Sequence, residues 1–307
     1  MKLHGLGRLL ALVSVVGLTG GFPQGVNATT YFEEEFECPI GGEKFKARVA
    51  GSTSTFGSRA DGKAYGGLSV WPIPECPENG LPLFEDEFDE AELEKLRMAI
   101  ETSEFQSMRQ TDTSRFRLFW LKRAIGRSIQ EQLGALLQAT WQTDGDWPRK
   151  NRYQAKFVEV ATSWEWPEEA EDRTRENWFW MNMRSVNALR ELGYYPEGLR
   201  HLRFVMEDSH LPGDVEALEN AKFYATQLER LLSEENPHPE PTNLTPVDVA
   251  IFRCVTGDKL TDVELEFCAT ERFVSAIEEY RFKPKKGKKL SGRAAILAAH
   301  DEYLQSR

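Results

Sequence analysis

The residues with types and spacing suited to chemistry are the four cysteines, Cys38, Cys76, Cys254 and Cys268. The first two sit in matching contexts, Cys38-Pro39-Ile40-Gly41-Gly42-Glu43-Lys44-Phe45 and Cys76-Pro77-Glu78-Asn79-Gly80. In each, a second thiolate three positions after the first would let the loop grip one face of a tetrahedral metal ion. Gly41 and Asn79 stand at those positions, and neither loop has a nearby His to replace the missing thiolate. Two thiolates do not close a structural zinc site, so neither a metal nor a cofactor is expected.

The amino terminus sets the redox context for these thiols. Lys2 and Arg8 precede an apolar run from Leu9 to Leu18, and Gly20, Gly21, Pro23 and Gly25 then break any helix before Val26-Asn27-Ala28. The run is shorter than the ~20 residues that span a bilayer, and small residues lie where signal peptidase reads them. Residues 1–28 are therefore expected to be a signal peptide cut after Ala28, leaving a periplasmic or secreted chain without stable membrane insertion. No Cys follows the cut to carry a lipid. In an oxidising compartment an even cysteine count favours disulfides. Of the three possible pairings, sequence order suggests Cys38 with Cys76 and Cys254 with Cys268; a crossed pairing would require the two ends of the chain to meet.

Other chemistry leaves little trace. The histidines form no H-E-x-x-H pattern, and G-x-S-x-G, G-x-G-x-x-G and C-x-x-C are absent, so no catalytic residue is assigned. Paired carboxylates can hydrolyse glycosides with no local signature, which keeps Glu165, Glu168, Glu169 and Asp172 open as an alternative. An excess of 49 acidic over 38 basic residues gives a net charge of −11. Loss of residues 1–28 removes two basic residues and no acidic one, so the surface repels nucleic acid and anionic lipid. The exception is the basic stretch from Lys283 to Lys289, read as a solvated turn between helices. Eight tryptophans are present, and Trp164, Trp166, Trp178 and Trp180 crowd together at i, i+2 spacing. They read as gap fillers between helices, or alternatively as a stacking platform for sugars. With Tyr194 and Tyr195 they are the interaction candidates.

The elements that must position these residues are mostly helical. Phe45 to Val49 and Leu68 to Trp71 have strand character, with Gly51-Ser52-Thr53-Ser54-Thr55 and Gly66-Gly67 as loops, giving a small β unit over residues 29–88. Helical periodicity then begins with an acidic amphipathic helix from Glu90 to Ile100. One stripe of Leu118, Leu121, Ile125, Ile129, Leu133 and Leu136 follows, and four further helices are marked by Tyr153–Trp164, Phe179–Leu189, Leu199–Val205 and Leu218–Leu232. Pro237, Pro239 and Pro241 make residues 236–245 a linker. Residues 246–307 form a C-terminal helical segment, opened by Thr245 as cap with Pro246 at the first position. Its second helix starts at the capping box Thr261-Asp262-Val263-Glu264, and its last runs from about Ser291 to Tyr303.

The C-P-x-x-G-x-x-F and C-P-x-x-G patterns, followed by these helices, resemble an uncharacterised bacterial family with an N-terminal zinc ribbon ahead of tetratricopeptide-like helices. The turn Leu192-Gly193-Tyr194-Tyr195-Pro196-Glu197-Gly198-Leu199 resembles the inter-helix turn of such a repeat, with Gly198 as the small residue that admits close packing and Pro212 closing the unit. The resemblance covers residues 36 to about 235 and carries no reaction with it. It implies that the two ribbon loops face each other, so that a disulfide replaces the lost metal. The expected fold is mainly α: a metal-free, zinc-ribbon-like β unit, then a tetratricopeptide-like array of antiparallel helices over 89–235. The expected function is a non-catalytic interaction or scaffold role in the bacterial envelope, with a protein or peptide as partner. A carboxylate-based hydrolase of envelope polymers is the alternative, and a redox-active dithiol protein the third reading.

Overall fold

The computed structural model describes residues 29–257, 259–285 and 287–305; the expected signal peptide lies outside them. The fold is mainly helical with a small two-stranded sheet at the N-terminal end. Strand β1 (Thr29–Glu37) pairs antiparallel with β2 (Lys44–Thr53), in a register that sets Glu33, Glu35 and Glu37 opposite Arg48, Lys46 and Lys44. A second ribbon joins β3 (Thr55–Ser58) to β4 (Ala64–Gly66). Two-stranded ribbons are at best marginally stable alone, so both depend on what they pack against.

Eight helices follow. They are α1 (Glu90–Ile100), α2 (Ser103–Thr111), α3 (Ser114–Ala124), α4 (Ile129–Gln142), α5 (Trp147–Thr162), α6 (Asp172–Glu191), α7 (Tyr195–Val205) and α8 (Val215–Ser233). Asp89, Thr102, Thr113, Ser128, Asp146 and Asp214 each accept a backbone N–H of the helix they precede, which satisfies one of the donors left open at a helix start. The apolar stripe from Leu118 to Leu136 is not one helix. Gly126 adopts a left-handed φ of 83° after α3, and Ser128 and Glu131 then form a capping box that starts α4. From α3 to α8 each helix packs on its sequence neighbour, with α6 also touching α8.

The core has four parts. Cys38 and Cys76 pack with Leu81, Leu96, Ile100, Phe105 and Leu121, so the core of the N-terminal unit continues into α1, α2 and α3. A second cluster fills α3–α5 and a third α6–α8. The fourth belongs to the C-terminal helices α9 (Val247–Thr256), α10 (Asp262–Cys268), α11 (Glu271–Glu279) and α12 (Gly292–Gln305). Helix α9 begins one residue later than the sequence suggests: Pro246 is its N-cap, and the Thr245 hydroxyl donates to the Pro241 carbonyl at 2.7 Å instead. The basic stretch joins two short strands, β5 (Arg281–Phe282) and β6 (Leu290–Ser291), and not two helices.

The proline-rich segment is packed against the helices on both sides. Arg190, fully buried, donates to the carbonyls of Asn236 at 2.6 Å and His238 at 2.8 Å. Glu264, equally buried, accepts from the Asn236 amide at 3.0 Å and the Thr242 N–H at 3.4 Å. Proline removes backbone donors but leaves every carbonyl, and here a guanidinium satisfies those carbonyls in the interior. No helix of the described residues is long and apolar enough to cross a membrane.

Candidate functional site

Both disulfides form in the sequential pairing, Cys38 with Cys76 and Cys254 with Cys268, with Cα separations of 5.7 and 5.6 Å. They fit an oxidising, extracytoplasmic setting. The two N-terminal cysteine loops share one backbone pattern. Cys38 N–H donates to Glu43 O at 3.0 Å and Gly42 N–H to Cys38 O at 3.0 Å; Cys76 N–H donates to Leu81 O at 2.9 Å and Gly80 N–H to Cys76 O at 2.8 Å. Asn79 ties the loops together, donating its amide to Ile40 O at 2.7 Å while its carbonyl oxygen accepts Leu81 N–H at 2.9 Å. Sequence reasoning missed Glu43. Its carboxylate and the two sulfurs lie within 4.8 Å of one another, and both its oxygens are buried without a hydrogen-bond partner among the described residues. As half of a disulfide, neither sulfur is a thiolate, the form that ligates metal. The only signal for Glu43 is its place one residue after the double glycine of the first loop.

A cavity of about 910 Å³ opens where the β3–β4 ribbon, residues 236–245 and helices α9 and α12 meet. The ribbon's turn, Arg59 to Lys63, is driven into the helical array. Gly62 takes a φ of 85°, and a Cβ there would meet Arg184 Nε on α6 at 2.8 Å, so only Gly fits. The Tyr224 hydroxyl on α8 donates to Ala60 O. Arg59 donates to Asp61 at 3.1 and 2.5 Å and reaches Asp144, after α4, at 2.8 Å. Lys63 donates to Asp144 at 2.6 Å and to Trp141 O at 3.1 Å, and the buried Lys150 of α5 reaches the other Asp144 oxygen at 3.1 Å.

One carboxylate thus faces three cations. Burial alone would raise its pKa, but Arg59, Lys63 and Lys150 together hold Asp144 well below the usual carboxylate range. Glu264 behaves alike: burial opposes its charge, and the Arg253 guanidinium and backbone donors overcome it. The third carboxylate, Glu240, accepts the Tyr65 hydroxyl at 3.1 Å, and burial together with that neighbour pushes Tyr65 up. His238 accepts Glu240 N–H through Nδ1 at 3.0 Å; burial, then Arg253, lowers it to about 4 and keeps it neutral at pH 7. Of the carboxylates that line the cleft, Asp144 is engaged by three cations and Glu240 by the Tyr65 hydroxyl.

The carboxylates suggested for hydrolysis are not gathered there. Glu165, Glu168, Glu169 and Asp172 are all exposed, and Asp172 pairs with Arg175 within its own helix. Among the interaction candidates, Trp178 is fully buried and donates its indole N–H to Trp164 O at 2.6 Å. Trp166 meets it edge-on at 4.9 Å, and the His210 ring lies 4.8 Å from Trp166 and 4.9 Å from Trp178. Trp164 and Trp180 are half-buried, the latter against Phe179 and Tyr224. Tyr195 is half-buried beside the α6–α8 core, and Tyr194, 54% exposed, is the candidate most open to solvent. His201 bonds Asn182 at 3.1 Å, and burial lowers it to about 4. No protein-family model, curated protein or solved structure matches this chain.

Proposed function

We propose that this is an exported, non-catalytic interaction scaffold of the bacterial envelope, periplasmic or secreted, in which a degenerate, metal-free zinc ribbon is fastened to a tetratricopeptide-like array. The observation that carries this reading is the array's grip on a polypeptide turn. Asp144, after α4, accepts from Arg59 and Lys63, Arg184 of α6 lies against Gly62, and the Tyr224 hydroxyl of α8 donates to Ala60 O. Stacked helix pairs supply such surfaces, because each pair presents side chains to one shared face. The close approach at Gly198 supports the repeat-like packing: a Cβ there would meet Leu232 Cδ2 at 2.6 Å, as expected of the small residue in a repeat turn.

The partner is a protein or peptide, since stacked helix pairs present a shared face suited to one and the acidic surface repels nucleic acid and anionic lipid. Affinity capture from solubilised native envelope tests the proposal. A discrete protein partner retained at moderate salt supports it, and the absence of any retained partner counts against it.

A further inference from the structure

In the N-terminal unit, the end of β1, the Val49 region of β2 and the segment from Leu83 to Phe88 line a groove of about 700 Å³. Its floor is apolar. Phe36, Val49, Leu83, Phe84 and Phe88 are each only half-buried, and the rings are already organised, Phe36 stacked on Phe45 at 5.7 Å and Phe84 edge-on to Phe88 at 4.9 Å. Its rim is acidic, formed by Glu35, Glu37, Glu85, Asp86 and Glu87. Lys44 answers Glu37 and Arg127 answers Glu85, each at 3.6 Å; Glu35, Asp86 and Glu87 have no ion-pair partner among the described residues.

One wall of the groove is an open strand edge. β1 pairs with β2 and, among the described residues, with no other strand, and no further backbone hydrogen bond reaches Thr29 to Glu37. Protein edges of this kind are usually covered, twisted away or blocked by inward charges and Pro, because a free row of N–H and C=O groups invites another strand. The acidic side chains here repel acidic strands and admit basic ones.

We infer that this groove binds an extended segment of another protein in which basic and apolar side chains alternate, added as a third strand to the free edge of β1. In such a segment successive side chains point to opposite faces, so one set reaches the aromatic floor while the other meets the carboxylate rim. The inference deepens the scaffold reading and rests on it for its biological sense, but its chemistry is separately testable.

The probe is a short, end-blocked peptide of alternating lysine and valine, titrated against the full chain at low and moderate salt, with hydrogen exchange followed at the β1 amides. The expected result is saturable binding that weakens with salt, with slowed exchange at the outward amides of β1. Replacing the three unpartnered rim acids (Glu35→Gln, Asp86→Asn, Glu87→Gln) weakens binding about tenfold, and these residues are exposed or peripheral enough for the fold to persist. A peptide N-methylated at alternate backbone nitrogens keeps its charge but cannot pair with the edge, and is expected not to bind. The inference is overturned if the alternating peptide fails to bind, if the N-methylated or an all-lysine peptide binds equally well, or if the triple variant binds unchanged. Partner capture from envelope that persists without peptide binding leaves the scaffold reading standing while this groove falls; peptide binding without any captured partner does the reverse.

Discussion

Arg59 and Asp144 lie 85 positions apart in sequence, yet the guanidinium donates to the carboxylate at 2.8 Å, with 8% of the Arg59 side chain exposed. That pair, with Lys63 and Lys150 on the same carboxylate, locks the β3–β4 turn into the helical array. Replacing Arg59 with Ala would leave Asp61 with an uncompensated buried charge and open the joint. The expected loss is about 3 kcal/mol, read by urea denaturation. Asp144→Asn removes the carboxylate that Arg59, Lys63 and Lys150 share but leaves Arg59 on Asp61 and Lys150 on Glu191, so it should destabilise by less; a change near zero in both would mean that the turn is not held by this network.

The disulfides should differ in worth. Cys38–Cys76 closes a loop of 38 residues and Cys254–Cys268 one of 14. Chain entropy assigns about 4 kcal/mol to the first and about 3 kcal/mol to the second. Melting the paired Ser variants separately checks the order. The first loss should also expose tryptophan fluorescence from the α1–α3 core, since Trp120 packs against that cluster.

Acid should destabilise the protein in two stages. His201 and His238 have folded values near 4, below the usual 6.5, so the unfolded chain takes up protons first and stability falls as pH drops from about 6.5 toward about 4. From about 4.5 downward Glu264, and from about 3.8 Asp144, both held ionised in the folded state, progressively lose their contribution, so the second stage overlaps the end of the first. Denaturation midpoints measured across this span should fall monotonically, and His201→Gln should reduce the upper stage by about half, His238 supplying the rest, while leaving the lower one in place.

Gly198→Ala is expected to destabilise by about 1–3 kcal/mol, because the new methyl would drive into Leu232 across the α7–α8 junction. A thermal melt decides it; unchanged stability would show that the Leu232 side chain can yield to the methyl.

Local patterns in the chain identify most of the helices and little of the site. Helix α1 is readable from Glu90 to Ile100 because its apolar spacing and acidic first turn agree. The break between α3 and α4 was also written locally, in Gly126 and in Ser128 with Glu131, but a continuous apolar stripe masks it. Residues 236–245 read only as a proline-rich linker because proline content says nothing about carbonyls, and the Arg190 that binds two of them lies some fifty positions earlier. The Arg59–Asp144 network and the placement of Glu43 between two sulfurs depend on tertiary contacts between remote segments, which periodicity cannot report.

The scaffold reading and its hydrolase alternative part most clearly in one measurement: incubating the purified protein with isolated native envelope and following both the protein retained and the soluble fragments released. Saturable, salt-sensitive retention with no release over time is the expected result. Release of polymer fragments that continues with time and stops in Glu240→Gln would contradict it and make the cleft catalytic.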